Sequence, residues 1–421
     1  MKNFKNIIGY DHIKKELERL IDCINNKEKY EKMGVQIPNN LLLYGPAGVG
    51  KTLFASEFIN SLNRNKYIIR KNKPDGEFVN DINEIIKTAI ANQPSVVLLD
   101  DLDKFSNNDE NHQNSDEFIV VQSFIDECKD KDVYFVATCN NLRTIPFTLL
   151  RSGRFSTKIE FNNPTLKDST LIIEHYLSDK CVSKDIDYEE IARILDGGTC
   201  ALLEDVMNEA GLIAGYSNKE IITMDDIVKA SLRVIYDSPE NFDNKTELQL
   251  KIASYHEAGH CVLAEVLEPG SVNLVSVANY YGNKGGLTSQ TNNDNYWCSF
   301  DKMENRIKVL LGGKAATELA LNVLDTGCSS DIDRAKRILE RFQDDYGVNN
   351  FISVDERASD TNKSRIEMWQ EIKINEYYRE AKTILFNNKD KLEKIAKELI
   401  ANKTIIRKDI NKIMRGEYNN D

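Results

Sequence analysis

The sequence has no apolar run long enough to cross a bilayer, and no signal peptide opens it. A membrane span requires about 18 to 20 consecutive apolar residues, so we predict none in this chain. The eight cysteines are scattered with no C-x-x-C pair, which indicates free thiols in a reducing interior. Excess positive charge is also lacking: the net charge of -12 argues against nonspecific nucleic-acid binding.

Histidine is scarce too, with five in 421 residues, and two of these stand in His256-Glu257-Ala258-Gly259-His260. Apolar residues recur at helical spacing on both sides, which predicts an amphipathic helix over residues 246–267. On a helix, imidazoles at i and i+4 share one face and can hold Zn²⁺ through two nitrogens. The intervening Glu257 can take a proton from the attacking water. This pattern indicates a zinc hydrolase.

Zinc needs a third protein ligand, and no histidine follows His260. The turn at residues 326–331 is the best placed, because it combines a glycine with small polar residues and then opens an amphipathic helix. A carboxylate at a helix start is usually only a cap, however, and spacing alone does not choose Asp331. The candidates for the third ligand are Glu265, Asp294, Asp301, Glu318, Asp325, Cys328, Asp331 and Asp333.

A second motif lies upstream, where a buried strand at residues 41–44 runs into a G-x-x-x-x-G-K-T loop and a helix predicted over residues 53–62. In such a P-loop, backbone N–H groups turn toward phosphate, Lys51 reaches the β and γ phosphates, and Thr52 ligates Mg²⁺. The pattern therefore predicts an ATP site. Its loop residues are Gly45, Pro46, Ala47, Gly48, Val49, Gly50, Lys51 and Thr52, and Leu53 follows them.

Two further buried strands carry polar residues at their ends. Residues 96–99 end in Asp100 and Asp101, as a Walker B segment does, so we assign Asp100 to Mg²⁺. Asp101 stands where a water-orienting glutamate is usual, and its shorter side chain predicts slower hydrolysis. Residues 133–138 end near Asn140, which could fix the attacking water or the γ-phosphate.

Two arginines follow these strands beside a glycine turn. Arg151 and Arg154 stand at the place where arginine fingers are found after a P-loop and a Walker B strand. Such fingers act on nucleotide bound by a neighbouring subunit. The spacing therefore predicts a ring.

The chain resembles the FtsH family of AAA+ metalloproteases nearly from end to end. Residues 4–9 look like the opening that precedes the family's nucleotide fold, which adds Ile8 and Gly9 to the nucleotide site, and His175 matches its ribose-side histidine. Residues 310–316 are similar to the family's Gly-Gly-Arg-Ala-Ala segment, and residues 326–331 to its Thr-Gly-Ala-Ser-Asn-Asp stretch. The family's aspartate ligand falls on Asp331, ahead of Asp325 and Cys328.

The resemblance implies a mechanism. His256, His260 and Asp331 would bind zinc, and Glu257 would be the general base. Residues 285–288 would form a substrate-pairing edge, although Gly285-Gly286 equally suits a simple turn. The family implies a homohexamer that uses Mg-ATP to feed unfolded or tagged polypeptides into a proteolytic chamber. Its relatives are membrane-anchored, so we expect this chain to be a soluble, cytoplasmic version or to have had an anchor left out.

Three departures from the family limit this inference. Besides Asp101, the pore loop near residues 73–76 has no aromatic residue, although Phe78 lies close. The Asp-Gly-Phe element that relays nucleotide state between subunits has become Glu127-Cys128-Lys129. Two rival functions remain open for these reasons: an ATP-regulated chaperone or scaffold ring, and a zinc peptidase whose ATPase half is weakly active or structural.

We therefore predict an α/β AAA+ domain with a parallel sheet over residues 1–163 and a helical lid over residues 164–236. A linker at residues 237–246 leads to a mainly α-helical zinc metalloprotease domain at residues 247–421. Residues 107–115 are predicted to form a polar loop that faces the pore. The expected cofactors are Zn²⁺, ATP and Mg²⁺.

Overall fold

The computed structural model describes residues 3–38, 40–73, 75–105, 115–236, 245–278, 285–291, 298–348 and 359–417. The chain divides into two compact units, residues 1–182 with 197–211 and residues 183–196 with 212–421. The domain boundaries predicted from the sequence stay a prediction. Residues 237–244 of the linker, residues 107–114 of the polar loop and residue 74 of the pore loop lie outside the described residues.

The first unit contains a five-stranded parallel sheet. Two helices, α1 (Asp11–Asn25) and α2 (Lys27–Glu31), precede it. The strands run side by side in the order β2-β3-β4-β1-β5. Their bounds are Asn40–Tyr44 (β1), Asn65–Arg70 (β2), Ser95–Asp100 (β3), Val133–Cys139 (β4) and Thr157–Glu160 (β5). All residues of β3 and β4 are buried, which explains why their sequences are apolar runs rather than alternating patterns.

Three helices connect these strands: α3 (Lys51–Asn60), α4 (Asp75–Ala91) and α5 (Asp116–Glu127). Phe78, in the first turn of α4, is fully buried and packs edge-on against Phe105 with ring centroids 4.9 Å apart. Both rings belong to the core between helices α4 and α5 and strands β3 and β4. Phe78 is therefore a packing residue and does not supply the aromatic side chain that the pore loop lacks.

The predicted lid segment is helical. Its helices are α6 (Leu166–Leu177), α7 (Tyr188–Ile194), α8 (Cys200–Tyr216) and α9 (Met224–Tyr236). The sequence predicts the last three helices over residues 186–195, 202–216 and 224–235, and each lies within two residues of those bounds. Side-chain oxygens of Thr165 and Asp187 accept backbone N–H bonds at the starts of α6 and α7, so both helices have N-caps.

The protease half is mainly helical with one small sheet. Its helices are α10 (Glu247–Leu267), α11 (Phe300–Leu321), α12 (Ser329–Asp344), α13 (Asp360–Asn387), α14 (Lys389–Asn402) and α15 (Arg407–Arg415). Strands β6 (Val272–Ser276), β7 (Leu287–Gln290) and β8 (Thr404–Ile406) form an antiparallel sheet in the order β7-β6-β8. Among the described residues, β7 pairs on one side only and is an edge strand.

None of the helices in the described part of the chain combines the length and the apolar composition that a bilayer crossing requires.

Candidate metal centre and nucleotide site

Helix α10 carries the pentapeptide and begins one residue after its predicted start. Thr246 accepts the backbone N–H of Gln249, and the Gln249 side chain accepts the N–H of Thr246 in return, so a capping box fixes this end. Ten residues further on, His256, Glu257 and His260 are all buried. The histidines share one face because four residues span about one helical turn.

Two glycines of α11 make room for the metal centre. A Cβ on Gly259 of α10 would lie 2.4 Å from the backbone oxygen of Gly312, so the two helices approach backbone to backbone. A Cβ on Gly313 would lie 2.5 Å from the imidazole of His256. These close approaches give the physical reason for the Gly312-Gly313 pair.

Three side chains converge at this point. The Nε2 atoms of His256 and His260 are 3.0 Å apart, and Asp331 Oδ2 lies 3.3 Å from the first and 3.4 Å from the second. Three donors of a tetrahedral zinc ion stand about 3.3 Å apart, so the distances and the donor types fit zinc. Among the described residues, these three form the group of metal-ligating type, with ligand atoms within 4.8 Å of one another.

Of the other candidates for the third ligand, three have contacts elsewhere and one lies outside the described residues. Asp325 Oδ2 lies 2.9 Å from Nδ1 of His256, on the far side of the ring from the Nε2 atoms. The Cys328 thiol donates to the backbone oxygen of Asp325. Glu265 accepts the backbone N–H groups of residues 270 and 272. Asp294 is not among the described residues.

The carboxylates around His256 set its charge. Burial lowers the pKa of His256, but the facing Asp325 and Asp331 outweigh this and raise it to about 10. Burial would raise the pKa of Asp331, and its contacts with His256 and His260 bring it well below its usual range. The carboxylates thus stabilise positive charge at this centre, as is expected of a cation site.

Glu257 lies next to this centre under the edge strand. Its Oε2 accepts a hydrogen bond of 2.8 Å from the Thr288 hydroxyl on β7, and a Cβ on Gly286 would lie 2.6 Å from its carboxyl. Burial raises the pKa of Glu257. The structure therefore brings the predicted edge, residues 285–288, against the predicted base.

The P-loop joins β1 to α3 and holds Lys51 in a buried position. Lys51 Nζ donates to the backbone oxygens of Gly45 and Pro46 and to Oδ1 of Asn140, at 2.6–2.8 Å. Gly45 has φ 144°, and a Cβ there would lie 2.0 Å from the backbone oxygen of Phe161, so only glycine fits. Residues 45–52 and Asn140 meet at the carboxyl ends of β1 and β4.

Asp100 is saturated with hydrogen bonds from its own chain. Its Oδ1 accepts from the hydroxyls of Thr52 and Thr138 at 2.9 and 2.8 Å, and its Oδ2 accepts two bonds from Arg70. Burial would raise the pKa of Asp100, but these bonds lower it. Arg70 was missed from the sequence, because its pairing with Asp100 follows from the register of β2 on β3.

The remaining ATPase residues have distinct surroundings. Asp101 adopts a left-handed backbone (φ 56°), and its carboxylate pairs with Lys104 at 2.7 Å. Arg154 makes two bonds to Asp126, one residue before the altered Glu127-Cys128-Lys129 element, so its guanidinium is held within its own chain. Arg151 is exposed and stacks over the Phe147 ring at 5.1 Å.

The remaining residues assigned to the nucleotide site lie in the same unit. Gly9 (φ 70°) precedes Tyr10, whose backbone N–H donates to Asp168 at the start of α6. His175 is exposed on α6, and Ile8 is half-buried. Leu53, in the first turn of α3, is also half-exposed.

Comparisons with known proteins cover both halves. Residues 41–163 match the ATPase family associated with various cellular activities (AAA), and residues 244–413 match peptidase family M41. The chain is 28% identical to the ATP-dependent zinc metalloprotease FtsH 2 of Thermoanaerobacter sp., over 98% of this chain and 83% of that protein. The chain belongs to the FtsH family of AAA+ zinc metalloproteases.

Other FtsH proteins agree with this assignment. The chain is 29% identical to the FtsH of Caldicellulosiruptor bescii, covering 98% of this chain and 72% of that protein. It is 28% identical to FtsH 2 of Phytoplasma mali, covering 98% and 62%. As an FtsH-family enzyme, the chain is an ATP-dependent zinc metalloprotease that uses Zn²⁺, ATP and Mg²⁺. The predicted fold class is confirmed as well.

Proposed function

We propose that this chain forms a homohexameric ring that unfolds protein substrates with ATP and cleaves them at a zinc site. The observation that carries the proposal is the convergence of His256, His260 and Asp331 within 3.0–3.4 Å, beside the buried Glu257. The substrates would be unfolded or tagged polypeptides. The ring follows from the family's use of arginine fingers, which act on a neighbour's nucleotide.

In the protease half, zinc would be held by His256 Nε2, His260 Nε2 and Asp331 Oδ2. When bound, it supplies a Lewis acid for peptide hydrolysis. Glu257 takes a proton from the attacking water and then delivers it to the leaving amine. The raised pKa of Glu257 suits this exchange, since an ordinary glutamate is a weaker base. The edge of β7 that has no strand beside it in the described part of the chain would pair with an extended substrate backbone, next to the Thr288 that contacts Glu257.

In the ATPase half, Lys51 and the loop amides at residues 45–52 would bind the phosphates of ATP. Thr52 and Asp100 would hold Mg²⁺, and Asp101 and Asn140 would orient the attacking water. Ile8, Gly9, Leu53 and His175 would line the remainder of the nucleotide site.

The two predicted arginine fingers differ in how readily they could serve a neighbour. Arg151 is exposed, which suits it to act on the nucleotide of the next subunit. Arg154 is tied to Asp126 and to the backbone oxygen of Thr148, so it would have to exchange these bonds first. We therefore propose Arg151 as the principal finger.

A second candidate function is a zinc peptidase ring that ATP regulates without threading the substrate. Two contacts favour it. Phe78 is fully buried in the core and cannot grip a chain, and Asp101 is paired with Lys104. If the chain has this second function, bound nucleotide would change the rate of peptide cleavage, but ATP hydrolysis would not be required.

Casein digestion separates the two functions. Rates are compared with ATP, with a nonhydrolysable analogue and without nucleotide, while ATP turnover is measured with and without casein. The proposed function predicts that casein is cleaved fast only when ATP is present, and that ATP turnover rises when casein is added. Equal cleavage with ATP and the analogue would instead identify the regulated peptidase.

The Glu257→Gln variant isolates the protease chemistry. It retains the size and the Thr288 contact but cannot accept a proton, so we expect cleavage to fall to background while ATP turnover continues. Retained cleavage would remove Glu257 as the base. Sedimentation velocity with and without nucleotide measures the assembly, and a species other than a hexamer under cleavage conditions would contradict the ring proposed here.

A further inference from the structure

Each ring of the histidine pair has a second partner at Nδ1, away from the converging Nε2 atoms. His260 Nδ1 lies 2.7 Å from the backbone oxygen of Val309 on α11. A carbonyl only accepts, so this Nδ1 carries hydrogen and the Nε2 lone pair faces the centre. His256 Nδ1 instead makes an ion-pair contact of 2.9 Å with Oδ2 of Asp325, at an angle outside that of a hydrogen bond. One ring thus faces a neutral carbonyl at Nδ1 and the other a carboxylate.

Asp325 is held in place by its own turn. Its Oδ1 accepts the backbone N–H of Gly327 at 2.8 Å, as the cap of the short turn at residues 326–328, and its backbone oxygen accepts from the Cys328 thiol. The side chain is only 15% exposed. One oxygen therefore fixes the turn, and the other is left for His256.

This turn also leads directly into the helix that carries Asp331. Asp331 lies in the first turn of α12, which starts at Ser329. The carboxylate of Asp325 consequently joins the first ligand, on α10, to the segment that supplies the third. A shift of this turn would therefore displace both Asp331 and the contact that Asp325 makes with His256.

We propose that Asp325 is a positioning residue for the zinc site, which holds the His256 ring with hydrogen on Nδ1 and the Nε2 lone pair toward the metal. This inference rests on the proposed zinc function of His256, His260 and Asp331. Two neutral imidazoles and one carboxylate leave a bound Zn²⁺ with a net charge of +1. Besides Glu257, Asp325 adds a second nearby negative charge in a buried region, where an uncompensated charge is costly. Carboxylates placed behind a ligating histidine typically contribute 10–100-fold in metal affinity.

Two substitutions separate this role from the capping of the turn. Asp325→Asn removes the charge and keeps one carbonyl oxygen, which can face Gly327 or His256 but not both, with the amide NH2 toward the other. Asp325→Ser keeps a hydroxyl that can cap Gly327 but is too short to reach His256. Asp345→Asn is the matched control, because Asp345 ends α12 in an exposed pair with Arg341 and does not contact the site.

Zinc affinity is measured in the full chain by competition with a chromophoric chelator, and casein cleavage at saturating zinc is measured in parallel. We expect affinity to fall roughly 10-fold in Asp325→Asn and up to about 100-fold in Asp325→Ser, with Asp345→Asn unchanged. ATP turnover and melting temperature check the fold of each variant. If Asp325→Ser fails to fold, Asp325→Asn alone decides the outcome.

Zinc affinity within twofold of wild type in both variants would overturn the inference and reduce Asp325 to a cap. That result differs from failure of the zinc site itself. Were the wild-type chain to bind no stoichiometric zinc, or were His260→Ala to bind it as tightly as wild type, the proposed function would fail first. Loss of affinity in Asp325→Ser with none in Asp325→Asn would show that a neutral side chain of the same length suffices and would overturn the charge argument.

Discussion

The two sites of this chain arrange their charged side chains in opposite ways. In the nucleotide site, Lys51 donates to three oxygens of its own loop and strand, and Asp100 accepts from Thr52, Thr138 and Arg70. In the protease site, by contrast, two ring nitrogens and a carboxylate oxygen face one another at 3.0–3.4 Å.

The difference shows how each site would treat its ligand. Mg-ATP has to exchange hydrogen bonds that Lys51 and Asp100 already make, so part of the binding energy is offset by the contacts given up. The zinc ligands converge on a point with their outer atoms held by Val309 and Asp325. A cation there gains three ligands in exchange for the contacts that these side chains make with one another, so we expect tight metal binding and weaker, exchangeable nucleotide binding.

The largest effects should come from two single substitutions, one in each site. His260→Ala removes one of three zinc ligands, so bound zinc should fall below about a tenth of wild type, with ATP turnover retained. Lys51→Ala should abolish ATP turnover and leave zinc bound. Elemental analysis and a phosphate-release assay measure the two quantities, with His12→Ala as an exposed control. Loss of zinc in Lys51→Ala would show that the sites are not separable.

The close approach of α10 and α11 predicts the next largest effect. Gly259→Ala would bring a Cβ within 2.4 Å of the Gly312 backbone oxygen and 2.6 Å of Ala316 Cβ, and neither can move aside as a flexible side chain would. We expect the free energy of unfolding to fall by about 1–3 kcal/mol, and thermal denaturation measures this change. Gly215→Ala, in α8 where no described atom lies within 4 Å, should stabilise the protein by up to about 1 kcal/mol. Equal melting temperatures for the two variants would refute the packing argument.

Arg70 sharpens the comparison at the nucleotide site. Arg70→Met removes a cation from Asp100 Oδ2, so Mg²⁺ should bind more readily. Because the Arg70 side chain is 62% exposed, we expect about 1 kcal/mol, which lowers the Mg²⁺ concentration for half-maximal ATP turnover roughly fivefold. Lys66→Met removes a charge from the amino end of the same strand and serves as the control. A higher Mg²⁺ requirement in Arg70→Met would mean that Arg70 assists the metal rather than competing with it.

The smallest effect concerns the pair that holds Arg154. Hydrogen bonds from Arg154 and Lys129 lower the pKa of Asp126 to about 2, below the ordinary value of about 3.9. Because the folded pKa is depressed, the pair stabilises the protein above about pH 4 and loses this contribution as pH falls toward 2. Solvent screening limits the effect to under about 1 kcal/mol.

The measurement is the difference in melting temperature between wild type and Asp126→Asn as a function of pH. The difference should be present at pH 6 and shrink below pH 4. Asp225→Asn, from the exposed pair with Lys229 on α9, is the control with a smaller change. A difference that stays constant down to pH 2 would contradict an ionic contribution from Asp126.

The sequence alone determined what depends on local geometry. Helical periodicity fixed α10 and put His256 and His260 on one face, since one turn of 3.6 residues brings i and i+4 together whatever lies around them. The P-loop with its strand and helix, and the buried strands that end in Asp100 and Asn140, follow equally from local pattern. Family resemblance then pointed to Asp331 among several carboxylates that spacing left open.

Only the tertiary structure decided the contacts between residues far apart in the chain. Arg70 reaches Asp100 because β2 lies in register beside β3, and Phe78 is buried because α4 packs on the sheet. Asp325 and Asp331, six residues apart, lie at different nitrogens of one imidazole some 70 residues upstream. Sequence spacing cannot assign these positions, because they depend on how α10, α11 and α12 pack, and packing is set by many side chains acting together.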